Sequence, residues 1–261
     1  MSHAIGLDHA GIVGHDLTAL SAAFERLGFS LTPLARHAGG RTGNRCVMLR
    51  DGGYLELMST VDGGTSATLD RFLARYAGVH ILALEIEDLA AVQDRLRLAF
   101  GSAPEPSATD RAVDDAAPDG PRARFTLLTP PDPPEGRVYL IRHETRDALW
   151  QERFLAHANN AVALTEIVLE TPEPAWTAAW YSRLAGRAVT PDSDGGYALQ
   201  LPRGRVRILP GTEPRMVGLT LRTGDGNAAI RSRLQEHAIA FREERQTVTV
   251  DTAGVALRFT P

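Results

Sequence analysis

Leu7-Asp8-His9-Ala10-Gly11-Ile12-Val13-Gly14-His15-Asp16-Leu17 is the stretch whose reading decides the fold. It runs extended and mostly apolar to Gly14, then changes period. Leu17, Leu20, Phe24 and Leu27 follow at spacings of three and four, the signature of one helical face. Asp16 is a helix-capping residue type, and Gly28 stands where a glycine commonly ends a helix. A strand over Leu7–Gly14 therefore leads into a helix. Three extended runs come next, Phe29–Ala35, Arg45–Leu49 and Tyr54–Met58. Gly39-Gly40 and Asp51-Gly52-Gly53 punctuate them, which suits antiparallel neighbours. The unit is βαβββ.

The same order recurs three more times. Val79–Ile86 precedes Asp88 and a helix bearing Leu89, Val92 and Leu96, and Arg122–Leu128 and Arg137–Ile141 complete the second module. Ser102–Pro121 reads as a long loop with one short strand. The third module opens at Val162–Glu170, and its helix carries Trp176, Trp180 and Leu184 on what reads as its core face. Gly196–Leu201 and Arg205–Leu209 are its hairpin. The fourth runs from Met216–Leu221 through a helix with Ile230 and Leu234 to Thr247–Val250 and Val255–Phe259. Asp16, Asp88, Glu173 and Asp225 stand at the four strand-to-helix junctions. Repeats of this size cannot bury their own sheets and must pair. The expected fold is α+β, with four βαβββ modules paired into two cupped mixed β-sheet domains with flanking helices. Modules one and two form domain 1–145 and modules three and four domain 146–261. The connector Glu144–Asn160 carries a short helix near Asp147–Leu155.

Composition narrows the function. A length of 261 residues suffices for two domains, and 43% hydrophobic with 23% charged residues is globular. The net charge of −4, with no Lys/Arg run, gives no drive toward nucleic acid or an anionic membrane. Cys46 is the only cysteine, so neither a disulfide framework nor a Cys-based zinc site is expected. The N-terminal Met1–Gly6 lacks a secretory pattern, and no apolar run approaches the ~20 residues that span a bilayer. A cytoplasmic protein acting on a small molecule is the expectation.

Leu7-Asp8-His9 through Asp16-Leu17, Leu27-Gly28-Phe29, Arg41-Thr42-Gly43-Asn44-Arg45, Tyr54-Leu55-Glu56-Leu57 and His157-Ala158-Asn159-Asn160-Ala161 resemble the vicinal oxygen chelate superfamily, in its glyoxalase-like branch. The resemblance covers nearly the whole chain. That superfamily holds glyoxalase I, extradiol dioxygenases, epimerases, thiol transferases and metal-free drug-binding proteins, so fold alone does not choose the reaction. What it implies is lyase or isomerase chemistry on a small oxygenated substrate, assisted by a divalent metal (iron, manganese, nickel or zinc). Metal-free binding of a small molecule, and extradiol-type dioxygenation, are the alternatives. A homodimer is compatible with it.

The family draws its ligands from the first and last strands of each paired module. His9 matches the first-strand position and Glu56 the last-strand position of module one. Strand alternation points His9, Gly11 and Val13 into the cup, and Tyr54, Glu56 and Met58 share that cup face. The implied metal set is His9, Glu56 and His80, with Glu56 also the proton-moving group. The register of His80 is awkward. It stands eight residues before Asp88, whereas His9 stands seven before Asp16, so a literal count puts Ile81 in the ligand place. The fourth position falls near Ile141-Arg142-His143, where His143 is a rival third ligand. His37, Thr42, Asn44, Tyr54 and Arg142 are candidate substrate contacts, Arg142 either for an anionic ligand or for Glu56. Modules three and four retain only Glu166 at a ligand position, so this half reads as a partner without chemistry.

Overall fold

A computed structural model of the chain describes residues 3–261; Met1 and Ser2, part of the stretch read for a leader, lie outside the described residues. The first module consists of β1 (Gly6–Val13), α1 (Leu17–Arg26), β2 (Ala35–Arg36), β3 (Thr42–Met48) and β4 (Tyr54–Thr60). The second, after the helix α2 (Ala67–Leu73), is β5 (Gly78–Glu85), α3 (Leu89–Phe100), β6 (Ser107–Ala112), β7 (Arg122–Leu128) and β8 (Arg137–His143). A short α4 (Arg146–Leu149) and a 3-10 turn at Glu152–Phe154 lead on. The third module is β9 (Ala161–Thr171), α5 (Pro174–Ala185), β10 (Val189–Pro191), β11 (Tyr197–Gln200) and β12 (Arg205–Pro210). The fourth is β13 (Arg215–Thr223), α6 (Ala228–Glu236), β14 (Arg242–Glu244), β15 (Thr247–Thr252) and β16 (Val255–Thr260).

Within each module the first strand lies parallel to the last, as β1 does to β4 and β5 to β8. Modules join through their first strands, antiparallel, β1 with β5 and β9 with β13. The result is one sixteen-stranded sheet in two curved eight-stranded halves, joined where β13 meets β5 at Met216–Val79. Their convex faces share one apolar core, in which Ala10, Ile12, Leu55 and Leu57 of the first unit meet Ile167, Leu169 and Leu257 of the second. Each fully buried Leu, Ile or Phe there contributes about 1.5–3 kcal/mol.

Local chemistry sets the elements. Asp16 accepts from the Thr18 and Ala19 amides and caps α1, whose Leu17, Leu20 and Phe24 are buried. Gly28, with φ of +90°, turns the chain away where a Cβ would stand 3.0 Å from the Asn159 amide nitrogen. Gly11 is required by closeness: a Cβ there would meet that of Ile81 at 2.7 Å, across the β1–β5 joint.

Three elements depart from the sequence reading. Of the run Phe29–Ala35 only Ala35, with Arg36, pairs as a strand, because Phe29 turns inward to pack on Phe24 and Phe259. The helix α2 carried no periodic signal. It has seven residues and two buried side chains, Leu69 and Phe72. In α5 the buried face is Thr177, Ala178, Tyr181, Leu184 and Ala185, while Trp176 is half exposed. The tryptophan spacing is helical, but the core stripe lies one residue further along.

Candidate active site in the first cup

The concave face of the first sheet encloses a cavity of about 370 Å³. Its two walls differ in chemistry. The module-one wall presents His9 from β1, His37 just after β2, Thr42 from β3, and Tyr54 and Glu56 from β4. Asn44 and Cys46 stand opposite Met58 and Glu56 in the β3–β4 ladder. The module-two wall presents Ile81, then Thr109 and Arg111 of β6, and Phe125 and Leu127 of β7. Arg137, Tyr139 and Ile141 of β8 complete it, each set following strand alternation. Leu69 and Phe72 of α2 close one side.

Glu56 is the hub of the polar wall. Its Oε1 accepts a short hydrogen bond from Asn44 Nδ2 and lies 3.4 Å from His37 Nε2, while Oε2 lies 3.8 Å from His9 Nε2. Burial alone would raise its carboxyl; His37, His9 and Asn44 together overcome this and hold it at about 2. Both imidazoles are fixed from behind. His9 Nδ1 donates to Asp8 Oδ1 at 2.7 Å, and His37 Nδ1 lies 2.8 Å from Thr42 Oγ1. His9 also stacks on Tyr54, ring centroids 4.4 Å apart.

Asp8 reaches His9 because β1 is bulged. The register against β5 passes from Leu7–Leu84 to His9–Ala83 and leaves Asp8 unpaired. Asp8 is fully buried and also accepts from His143 Nε2 at 3.1 Å. Burial works to raise its carboxyl, yet the two histidines hold it well below the ordinary carboxylate range. Burial pushes the Cys46 thiol up to about 12, which makes it inert as a nucleophile at neutral pH.

A second bulge decides His80. The β1–β5 register steps from Gly11–Ile81 to Ile12–Val79 and skips His80. Ile81 faces the cup, and His80 turns away between Phe72 and Tyr76, donating from Nε2 to the Tyr76 carbonyl at 2.7 Å. The expected ligand is thus a packing residue. Register also relocates the fourth position. Since His9 pairs Tyr54 and Ile81 pairs Arg137, the counterpart of Glu56 is Tyr139, two residues on. Arg142 points to the other face of β8 and pairs with Glu144 at 3.1 Å, so it is neither a cup contact nor a partner of Glu56. His143 is committed to Asp8. Among the described residues no three His, Cys, Asp or Glu side chains gather tightly enough to hold a metal ion as they stand.

The residues that sequence reasoning missed are Asp8, Arg111, Arg137 and Tyr139. Alternation could have found the last three once β6 and β8 were in register. Asp8 needed the bulge. In the second unit Glu166 is buried but bound by Arg205 and by Thr220 Oγ1, so its charge is already matched.

The chain is similar to several solved proteins of one architecture. A hypothetical protein from Staphylococcus aureus superposes with a TM-score of 0.73 at 15% identity, over 98% of this chain and 99% of that one. A mutant of 4-hydroxymandelate synthase from Streptomyces coelicolor gives 0.68 at 11% identity, over 98% and 92%. An Mn(II)-bound glyoxalase from Novosphingobium aromaticivorans gives 0.62 at 14%, over 99% and 82%. At these identities the likeness is one of fold. No curated protein matches the chain significantly. Among the described residues no helix is long and apolar enough to cross a membrane. The glyoxalase-like domain model matches residues 7–185, more than half of the chain and every residue of the first cup. The chain belongs to the glyoxalase-like domain family, within the vicinal oxygen chelate superfamily.

Proposed function

We propose that the chain is an enzyme that moves a proton on a small oxygenated substrate held in the first cup, in a lyase or isomerase type of reaction assisted by a divalent metal. One observation carries this reading: two imidazoles with their Nδ1 atoms engaged turn their Nε2 atoms toward one buried carboxylate. That outer support is what metal-binding histidines need. The 3.4 Å contact is long for a hydrogen bond and the 3.8 Å separation exceeds one, and ligands ~2.1 Å from a shared ion stand about 3.4 Å apart at the tetrahedral angle. The donor chemistry of His9, His37 and Glu56 therefore fits a divalent ion, with His37 in the role expected of His80. The Asn44 amide, which also approaches His37 Nε2 at 3.1 Å, is the group that would give way. When bound, such an ion supplies Lewis acidity to a substrate oxygen.

The chain's own residues would do the rest. Glu56 is placed to accept a substrate proton, and losing its His37 and Asn44 contacts on substrate binding would raise its basicity. Asp8 keeps His9 oriented, and Tyr54 and Tyr139 face the same cavity as hydroxyl donors. Two imidazoles and a carboxylate would also suit ring-cleaving iron chemistry. In this reading the chemistry belongs to domain 1–145, and domain 146–261 is its structural partner.

A metal-free binding cup is the second reading. It is favoured by Ile81 and Tyr139, which occupy the module-two counterparts of His9 and Glu56. Manganese and zinc titrations of chelator-treated protein by calorimetry decide between the two. The enzyme reading expects a 1:1 site that weakens at least tenfold in each of His9→Gln, His37→Gln and Glu56→Gln. Binding indifferent to all three, or none, sinks it.

A further inference from the structure

We propose that Arg111 is the anion anchor of the first cup, and that the substrate is a small carboxylic acid with an apolar body. The inference rests on the proposed function only in taking the same cavity as the substrate site. Two guanidinium groups line that cavity. Arg137 is already matched, holding Asp132 through Nε at 3.0 Å and Nη2 at 3.1 Å. Arg111 is not. Among the described residues no carboxylate pairs with it. Its one hydrogen bond is a long 3.3 Å contact from Nη1 to the Ala112 carbonyl, and its Nε is buried without a partner. A buried guanidinium nitrogen left unsatisfied is costly, and a carboxylate is the ligand whose geometry its fork matches.

The rest of the cavity describes what joins the anion to the polar wall. Phe125 and Leu127, one strand in from Arg111, are apolar, as are Ile81, Phe72 and Leu69. A volume near 370 Å³ is at the small end for ligand sites. The reacting end then meets His9, Glu56 and His37, and the like charge of the ionised Glu56 directs the substrate carboxylate away from it, toward Arg111. Arg111 and Glu56 line the same cavity, with Tyr54 beside Glu56 on its strand, so anchor and hub share one space.

The experiment compares phenylacetate with its neutral isostere phenylacetamide, titrated by calorimetry at pH 7.5 without metal. The parent should bind the acid ten- to a hundredfold more tightly than the amide. Arg111→Gln should bring the ratio near one, and Arg111→Lys, which keeps the charge but not the fork, should fall between. Equal binding of acid and amide by the parent overturns the proposal without recourse to any variant. So does failure of the parent to bind either at 10 mM, or an unchanged ratio in a folded Arg111→Gln. The readout needs neither metal nor turnover. A retained acid preference beside a failed metal titration would remove the proposed chemistry and leave the anchor. The converse result would remove the anchor alone.

Discussion

Replacing His80 with Phe should exchange stability at neutral pH for stability in mild acid. His80 is fully buried, and burial lowers its pKa from 6.5 to about 4. Its Nδ1 has no partner, so a proton added there is a buried donor without an acceptor. The unfolded chain takes up the proton first. The stabilisation from keeping His80 neutral is therefore complete above pH 6.5 and is lost as pH falls toward 4. Linkage over that interval gives a loss of about 2 kcal/mol by pH 5 and about 3 kcal/mol in full. His80→Phe retains the stack on Phe72 and Tyr76, whose centroids are 4.8 and 4.0 Å away, but strands the Tyr76 carbonyl. That costs about 1 kcal/mol at every pH. The variant should be the weaker protein at pH 7.5 and the stronger at pH 5.0, by about 1 kcal/mol each way. Urea unfolding at the two pH values measures this. His157, also depressed by burial, titrates in both proteins and cancels in the comparison. Equal losses in parent and variant would refute the argument.

Glu56 acts in a lower window. Held at about 2 against an ordinary 4.5, it contributes stability above pH 4.5 that is lost as pH falls through 2, about 3 kcal/mol at most; acid unfolding of chelator-treated Glu56→Gln should lack that component. Phe24→Ala removes a fully buried ring packed on Phe29 and should cost about 3–5 kcal/mol in chemical denaturation, since the sheets on either side cannot close the void. Arg142→Glu should leave any metal affinity within twofold, because Arg142 lies outside the cup; a rise of tenfold on calorimetric titration would show that it enters.

Periodicity made most of the fold legible. The helical face Leu17–Leu20–Phe24 and the alternation of Tyr54–Glu56–Met58 are strong local signals, and the junction acids Asp16 and Asp88 mark where one period gives way to the other. Both carboxylates cap their helices. Weak signals failed where tertiary packing decides. Phe29 is extended in type but pinned inward, and α2 is too short to show a period. At the site, His9 and Glu56 followed from counting along a strand, whereas counting failed wherever a bulge intervened. Asp8 and His80 are one residue out of phase for that reason, and no local residue type announces either bulge. A register three residues in error draws Arg142 into the cup; the alignment of β5 with β8 makes Tyr139 the counterpart of Glu56 instead.

The bulge in β5 also sets how far this strand stands from a different inventory of donors. Substituting Ile81 with His would keep the extra residue and crowd the imidazole against Gly11. Deleting Ile81 would do something else. With the surplus position gone, His80 would slide into the place opposite Gly11, Val79 would keep its pairing with Ile12, and the strand would become regular. A third imidazole would then face His9 and Glu56 with no new side chain introduced. In this architecture the length of a strand, as much as its composition, is inherited chemistry: a single codon lost or gained at one joint can convert a packing histidine into a site residue, or back, while the convex core behind it is left as it was.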